Sequence, residues 1–197
     1  MGVRDSKLLT RKRRNELYVS IEELADEVRT SLIYPEEIND LMRREVSLNE
    51  IEAIHFSRLL DQTTSRIDKL YLDSPDVIPE RFGFRVGKLT SKSTFADGKR
   101  KPHGNKDSIR IISEHKADVR YPIVSAASII AKVTRDRAIK KIENELGFVI
   151  GSGYPSDYNT IEAVRRNMGN GVLKSHIRQR WITMERIRQT TIESFFA

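Results

Sequence analysis

The 197-residue chain carries 35 Lys and Arg against 28 Asp and Glu, a formal charge of +7, with 38% hydrophobic and 32% charged residues. That is enough apolar material for one ordinary domain with room for a tail, and too much charge for a membrane span or a fibrous chain. The absence of cysteine excludes disulfides, a thiol nucleophile and a Cys-ligated zinc or iron–sulfur centre and fits a cytoplasmic protein, while the basic balance points to a polyanionic partner such as nucleic acid.

The first residues are basic without an apolar run, which does not fit a secretory signal. Thr10 ahead of Arg11-Lys12-Arg13-Arg14, with Leu17, Ile21 and Leu24 at helical spacing, predicts a helix over 10–25. Val28 to Ile33 alternates and is rich in β-branched residues, so it reads as a strand stopped by Tyr34-Pro35, and a helix follows. Ser47 with Glu50 forms a capping-box pattern at the head of a helix over about 47–64, whose apolar face is Leu48, Ile51, Ile54, Leu59 and Leu60. Lys69 to Asp73 is a short apolar strand ending in an acid and broken by Ser74-Pro75-Asp76. Residues 85–107 are polar and glycine-bearing and read as a surface loop. Ser108 to Ser113 alternates as another strand, leading into Glu114-His115-Lys116-Ala117-Asp118. From Ile123 through Ala126, Ala127, Ile130 and Val133 to Leu146 the small and branched apolar residues mark a long helix packed on something flat, ended by Gly147. Gly151 to Asp157 reads as a loop, Thr160–Asn167 as a short helix, and a last helix includes Trp181. Strands alternating with helices argue for an α/β layered domain.

Asp73 and Asp118 end two segments read as strands, and neighbouring strands would bring both carboxylates to one sheet edge. Hard oxygen ligands of that kind suit Mg2+ or Mn2+. Two solvated turn aspartates are the other reading, and spacing alone does not decide. His115 stands close enough to Asp118 in sequence to orient a ligand, whereas His55, His103 and His176 have no partner at zinc-ligand spacing. Tyr121-Pro122-Ile123-Val124-Ser125-Ala126-Ala127-Ser128-Ile129-Ile130-Ala131-Lys132-Val133-Thr134-Arg135-Asp136 joins small residues, which allow close approach to a sheet or a phosphate backbone, with possible phosphate donors at Ser125, Ser128 and Lys132.

That segment closely resembles the most distinctive stretch of ribonuclease HII, the enzymes that cut the RNA part of RNA–DNA hybrids. Asp5-Ser6-Lys7-Leu8-Leu9, Leu48-Asn49-Glu50, Tyr71 to Val77, His115-Lys116-Ala117-Asp118, Gly151 to Asp157 and Arg178-Gln179-Arg180-Trp181 follow in family order, and Lys116-Ala117-Asp118 resembles the archaeal branch. The resemblance implies a ribonuclease H-like mixed sheet flanked by helices and a C-terminal helical region. It implies that Asp73 and Asp118 are catalytic, metal-binding acids working with Mn2+ or Mg2+. It also implies that Tyr154 packs on the sugar at the RNA–DNA junction, where an aromatic face and a 2′-hydroxyl contact tell ribose from deoxyribose. Lys7, Ser125 and Ser128 resemble backbone-phosphate contacts, and Asp136 fits equally a helix anchor or a metal contact. The implied substrates are RNA–DNA hybrids and ribonucleotides embedded in duplex DNA.

The C-terminal Gln189-Thr190-Thr191-Ile192-Glu193-Ser194-Phe195-Phe196-Ala197 resembles the peptide by which replication proteins dock on the sliding clamp. One helical turn would gather Ile192, Phe195 and Phe196 into an apolar plug beside Gln189. A tail folded back on its own core is the alternative. The chain departs from the family in one respect, for no Asp-Glu-Ala-Gly-Arg-Gly segment occurs in it, and with that segment two of four expected carboxylates and the first, central strand are missing. Asp26-Glu27, followed by Val28-Arg29, does not substitute. Either the natural start lies upstream of Met1, which the intact later motifs favour, or the chain is an inactive relative that binds hybrid nucleic acid and the clamp. The expected organisation is a catalytic core over 1–146, a helical region over 147–188 and a clamp-binding peptide over 189–197, as a cytoplasmic monomer without membrane contact.

Overall fold

The computed structural model describes residues 9–96, 108–181, 183–185 and 187, which form two units: 9–31 with 48–96 and 108–133, and 32–47 with the described residues from 134 onward. The first unit is built on strands β1 (Lys69–Asp73), β2 (Thr94–Ala96) and β3 (Ile109–Glu114), in the order β1-β3-β2 with both pairings parallel. Lys69 lies opposite Arg110 and Asp73 opposite Glu114, so β1 and β3 end together.

Helix α1 (Arg11–Leu24) begins where the Thr10 hydroxyl accepts the Arg13 N–H, and buries Leu17 and Ile21. These meet Ile129, Ile130 and Val133 on the first half of α6 (Pro122–Leu146) in one apolar cluster. A second cluster joins Ala53 of α3 (Leu48–Gln62), Leu72 of β1, Ile111 of β3, and Phe82 and Val86 of α4 (Pro79–Leu89). Gly83 and Gly87, one helical turn apart, bring α4 against the sheet: a Cβ on Gly83 would lie 3.0 Å from the Ser113 Cβ and 3.1 Å from Ile111 Cγ2.

The second unit holds α2 (Pro35–Arg43), the rest of α6, α7 (Tyr158–Arg166) and α8 (Gly171–Ser175). Its apolar cluster is Val164, Met184 and Ile187 with Ile161, Met168, Ile177 and Trp181 around them. Buried Asn39 ties α2 to the C-terminal segment, donating to the Ile177 carbonyl at 2.8 Å and accepting the Gln179 N–H at 2.9 Å. Gly147 follows α6 with a φ of +76°, the left-handed stop its sequence predicts.

Three expectations change. Val28–Ile33 is not a strand, because alternation is a local signal whereas a strand needs a pairing partner, and no described strand offers one. The start of the expected 85–107 loop belongs to α4 and β2, while residues 97–107 lie outside the described residues. Trp181 precedes rather than joins the last helical turn among the described residues, its carbonyl accepting the Met184 N–H at 2.8 Å. Among the described residues no helix is long and apolar enough to cross a membrane.

Candidate active site

Because β1 and β3 are parallel and in register, their carboxyl ends open on the same edge, the position at which α/β sheets place their chemistry. The Ser74 N–H donates to the Glu114 carbonyl at 3.0 Å, keeping the two exit loops together. After Glu114 the chain turns sharply: Lys116 takes φ +55°, a left-handed conformation costly for a residue with a Cβ. That turn starts α5 (Ala117–Arg120), and the Ala117 N–H donates to Asp73 Oδ1 at 3.0 Å.

Asp118 therefore does not end a strand. It sits in the first turn of α5, 7% exposed, and no hydrogen bond or ion pair from the described residues engages its carboxylate. Asp73 is exposed at the tip of β1. The structure thus couples the two segments that carry these acids through one charge-assisted hydrogen bond.

A group that sequence reasoning missed braces the Asp73 loop. Asp76, 8% exposed, accepts from Asn49 Nδ2 and pairs through Oδ2 with Arg85 at 3.2 Å, and Arg85 reaches Glu50 at 2.9 Å. His115 Nε2 lies 2.7 Å from the Asp76 carbonyl, so the imidazole joins the exit loops of β1 and β3. Four segments meet at Asp76; the only sequence signal was an acid in a Pro-containing turn directly after a strand. On the flank, Glu114 accepts from Arg120 at 2.7 Å and from the Tyr121 hydroxyl at 3.0 Å, a bond that pushes the Tyr121 phenol up from its usual range.

Ser125 is 2% exposed, and its buried Oγ has no hydrogen-bond partner among the described residues. The helical register explains it: Ser125, Ile129 and Val133 share the buried stripe of α6, and Ser128 lies off it, half-buried. Asp136, in the second unit, lies 3.7 Å from Arg135. Lys7, Gln189, Ile192, Phe195 and Phe196 lie outside the described residues.

Tyr154 belongs to the second unit, in the loop from Gly151 to Asp157. Asp157 organises that loop, accepting from the Ser152 N–H and Oγ at 2.7 Å each and from Thr160 Oγ1 at 3.0 Å. These bonds, the Ser152 N–H foremost, hold the Asp157 carboxyl down at about 2. The Tyr154 ring is half-exposed and lies 3.7 Å from the Arg135 guanidinium.

The ribonuclease HII family model matches residues 1–184. The chain belongs to the ribonuclease HII family. It is 42% identical over 192 residues to the ribonuclease HII of Methanosarcina barkeri, covering 96% of this chain and 80% of that one. The crystal structure of the ribonuclease H2 from Pyrococcus horikoshii OT3 superposes with a TM-score of 0.76 at 37% identity, over 96% of this chain and 81% of that one. Bst-RNase HIII in complex with Mn2+ has the same fold, with a TM-score of 0.71 at 17% identity, over 96% of this chain and 58% of that one. Family and fold make the chain a hydrolase of the nuclease class, with the α/β sheet-and-helix architecture that its motifs imply.

Asp73 and Asp118 offer hard carboxylate oxygens without a thiolate or imidazole, which fits Mg2+ or Mn2+ better than zinc. Magnesium is commonly held by one or two carboxylates, with waters and substrate phosphates completing its shell. The pair therefore fits as part of a ligand set. Among the described residues no group of three or more His, Asp and Glu stands around one point.

Proposed function

We propose that the chain is a metal-dependent endonuclease that cuts the RNA strand of RNA–DNA hybrids and cuts at ribonucleotides embedded in duplex DNA. The observation that carries this reading is the 3.0 Å bond from the Ala117 N–H to Asp73, which joins the exposed acid of β1 to the segment bearing buried, unengaged Asp118. The fold shared with the Mn2+ complex of Bst-RNase HIII supports a divalent ion of that class.

Asp73 and Asp118 would hold the ion, with the Ala117 N–H fixing one oxygen of Asp73 and the Asp76 group bracing its loop. A bound divalent cation supplies Lewis acidity at phosphorus and lowers the pKa of water. In the reaction a water oxygen bonds to phosphorus, the bond to the 3′ oxygen breaks, and that oxygen takes up a proton. The products are a 3′-hydroxyl and a 5′-phosphate. Tyr154 meets the sugar at the RNA–DNA junction, Lys7 and Ser128 contact backbone phosphates, and Gln189, Ile192, Phe195 and Phe196 engage the sliding clamp.

A second reading, a relative that binds hybrid and clamp without turnover, is favoured by one observation: among the described residues no group of three or more His, Asp and Glu gathers at one point where it could hold a metal. One experiment separates the two. The chain is incubated with a labelled duplex containing a single ribonucleotide, with and without Mn2+. Cleavage on the 5′ side of the ribonucleotide, dependent on the metal and abolished in D73N and in D118N, is expected for the enzyme. Salt-sensitive binding without metal-dependent cleavage would establish the binding protein instead.

A further inference from the structure

Tyr154 does not stand alone in its loop. The Arg135 guanidinium lies 3.7 Å from its ring centroid, so one face of the ring is covered and its exposure comes from the opposite face and the edge. The same guanidinium donates from Nη2 to the Ser152 carbonyl at 2.9 Å. Gly153 sits between these two contacts with φ +70°, and a Cβ there would lie 3.1 Å from Arg135 Nη2 and 2.7 Å from Ile139 Cδ1. The loop thus needs a glycine at 153 both for its backbone and to let α6 present Arg135 against Tyr154.

Arg135 is a poor candidate for binding phosphate itself. Its Nη2 is committed to Ser152, and its Nη1 is buried, without a hydrogen-bond partner among the described residues and 3.7 Å from Asp136 Oδ1. What its flat guanidinium does is set the plane of a neighbouring ring, a task suited to arginine and not to lysine. We infer that Arg135 is the positioning residue for Tyr154, fixing the ring plane whose open face meets the ribonucleotide sugar. The inference rests on the proposal above that Tyr154 reads the junction.

The test measures the affinity of the full chain for a labelled duplex with one ribonucleotide and for the all-DNA duplex of the same sequence, without divalent metal. Wild type, Y154A, R135A, R135K and the double variant R135A/Y154A are compared, and melting temperatures are recorded. The wild type prefers the ribonucleotide duplex. Y154A and R135A each lower that preference about tenfold, and the double variant lowers it no further than either alone. R135K falls with R135A, since an ammonium keeps the charge but not the plane, and it carries the test where R135A lowers the melting temperature. Losses that multiply in the double variant, or a preference that R135K preserves in full, would overturn the assignment of Arg135 while leaving Tyr154 in place. A Y154A preference equal to the wild type would overturn the reading of Tyr154, and with it this inference.

Discussion

At the scale of single residues, carboxylates such as Asp157 and Glu27 fix loops by accepting several donors at once. Asp157 gathers Ser152 and Thr160, and Glu27 accepts from the N–H and hydroxyl of Ser65 at 3.0 and 2.8 Å and from the Thr64 N–H at 3.1 Å. Each carboxyl is held at about 2, Asp157 chiefly by the Ser152 N–H and Glu27 chiefly by the Ser65 N–H, against ordinary values of 3.8 and 4.5. A carboxyl depressed in the folded chain stabilises it above the unfolded pKa, and that stabilisation is lost as pH falls through the folded value. The melting temperature is therefore expected to decline from near pH 4.5 toward pH 2. D157N should melt lower than wild type at pH 6 and change less across that window, because an amide loses the charge-assisted bonds at both ends of it. Equal pH slopes for the two proteins would show that Asp157 titrates alike in the folded and unfolded chain.

At the scale of elements, helix α4 is the one whose place is most exacting. Its glycines approach β3 so closely that G83A would press a methyl against Ser113 and Ile111, both on the central strand. Overpacking of that kind costs about 1–3 kcal/mol and outweighs the ~1 kcal/mol that alanine returns in a helix. G83A should lower stability by up to about 2 kcal/mol in urea unfolding, and a stabilised variant would mean that α4 shifts freely on the sheet. Gly87 helps explain why the end of this helix was illegible in the sequence: it falls in the 85–107 stretch that reads as a loop, although here it serves contact. Helices α1, α3 and α6 and strands β1 and β3 were legible, because Leu17 with Ile21, or Leu72 with Ile111, face a core that periodicity alone reveals. Val28–Ile33 misled for the opposite reason, its pattern being local and its pairing not. Asp73 and Asp118 were visible as acids in recognisable motifs. The bracing of Asp76 by Asn49, Arg85 and His115 was not, since those residues share no spacing and meet only in three dimensions.

At the scale of the whole molecule, a net charge of +7 draws a polyanion without selecting one, so recruitment to a particular place needs a separate device. The sequence provides a candidate in Gln189 to Phe196, where an aliphatic and two aromatic residues recur at one-turn spacing in an otherwise polar run. If this segment is a clamp peptide, its two phenylalanines are buried only in the partner, and each anchor is worth about 2 kcal/mol or more to that contact. Removal of residues 189–197, or F195A with F196A, should then abolish co-elution with the sliding clamp. Binding or cleavage of a free hybrid, and the melting temperature, should be left near the wild-type values. If instead the aromatics fold back on their own core, the same truncation uncovers the apolar surface beneath them. It would then cost about 1.5–3 kcal/mol per phenylalanine in stability. The two accounts predict opposite pairs of results: lost clamp binding with an unchanged melt, or an unchanged clamp profile with a lowered melt. A single truncated chain, measured both ways, decides whether recruitment is a property of this tail or of the rest of the chain with its net positive charge.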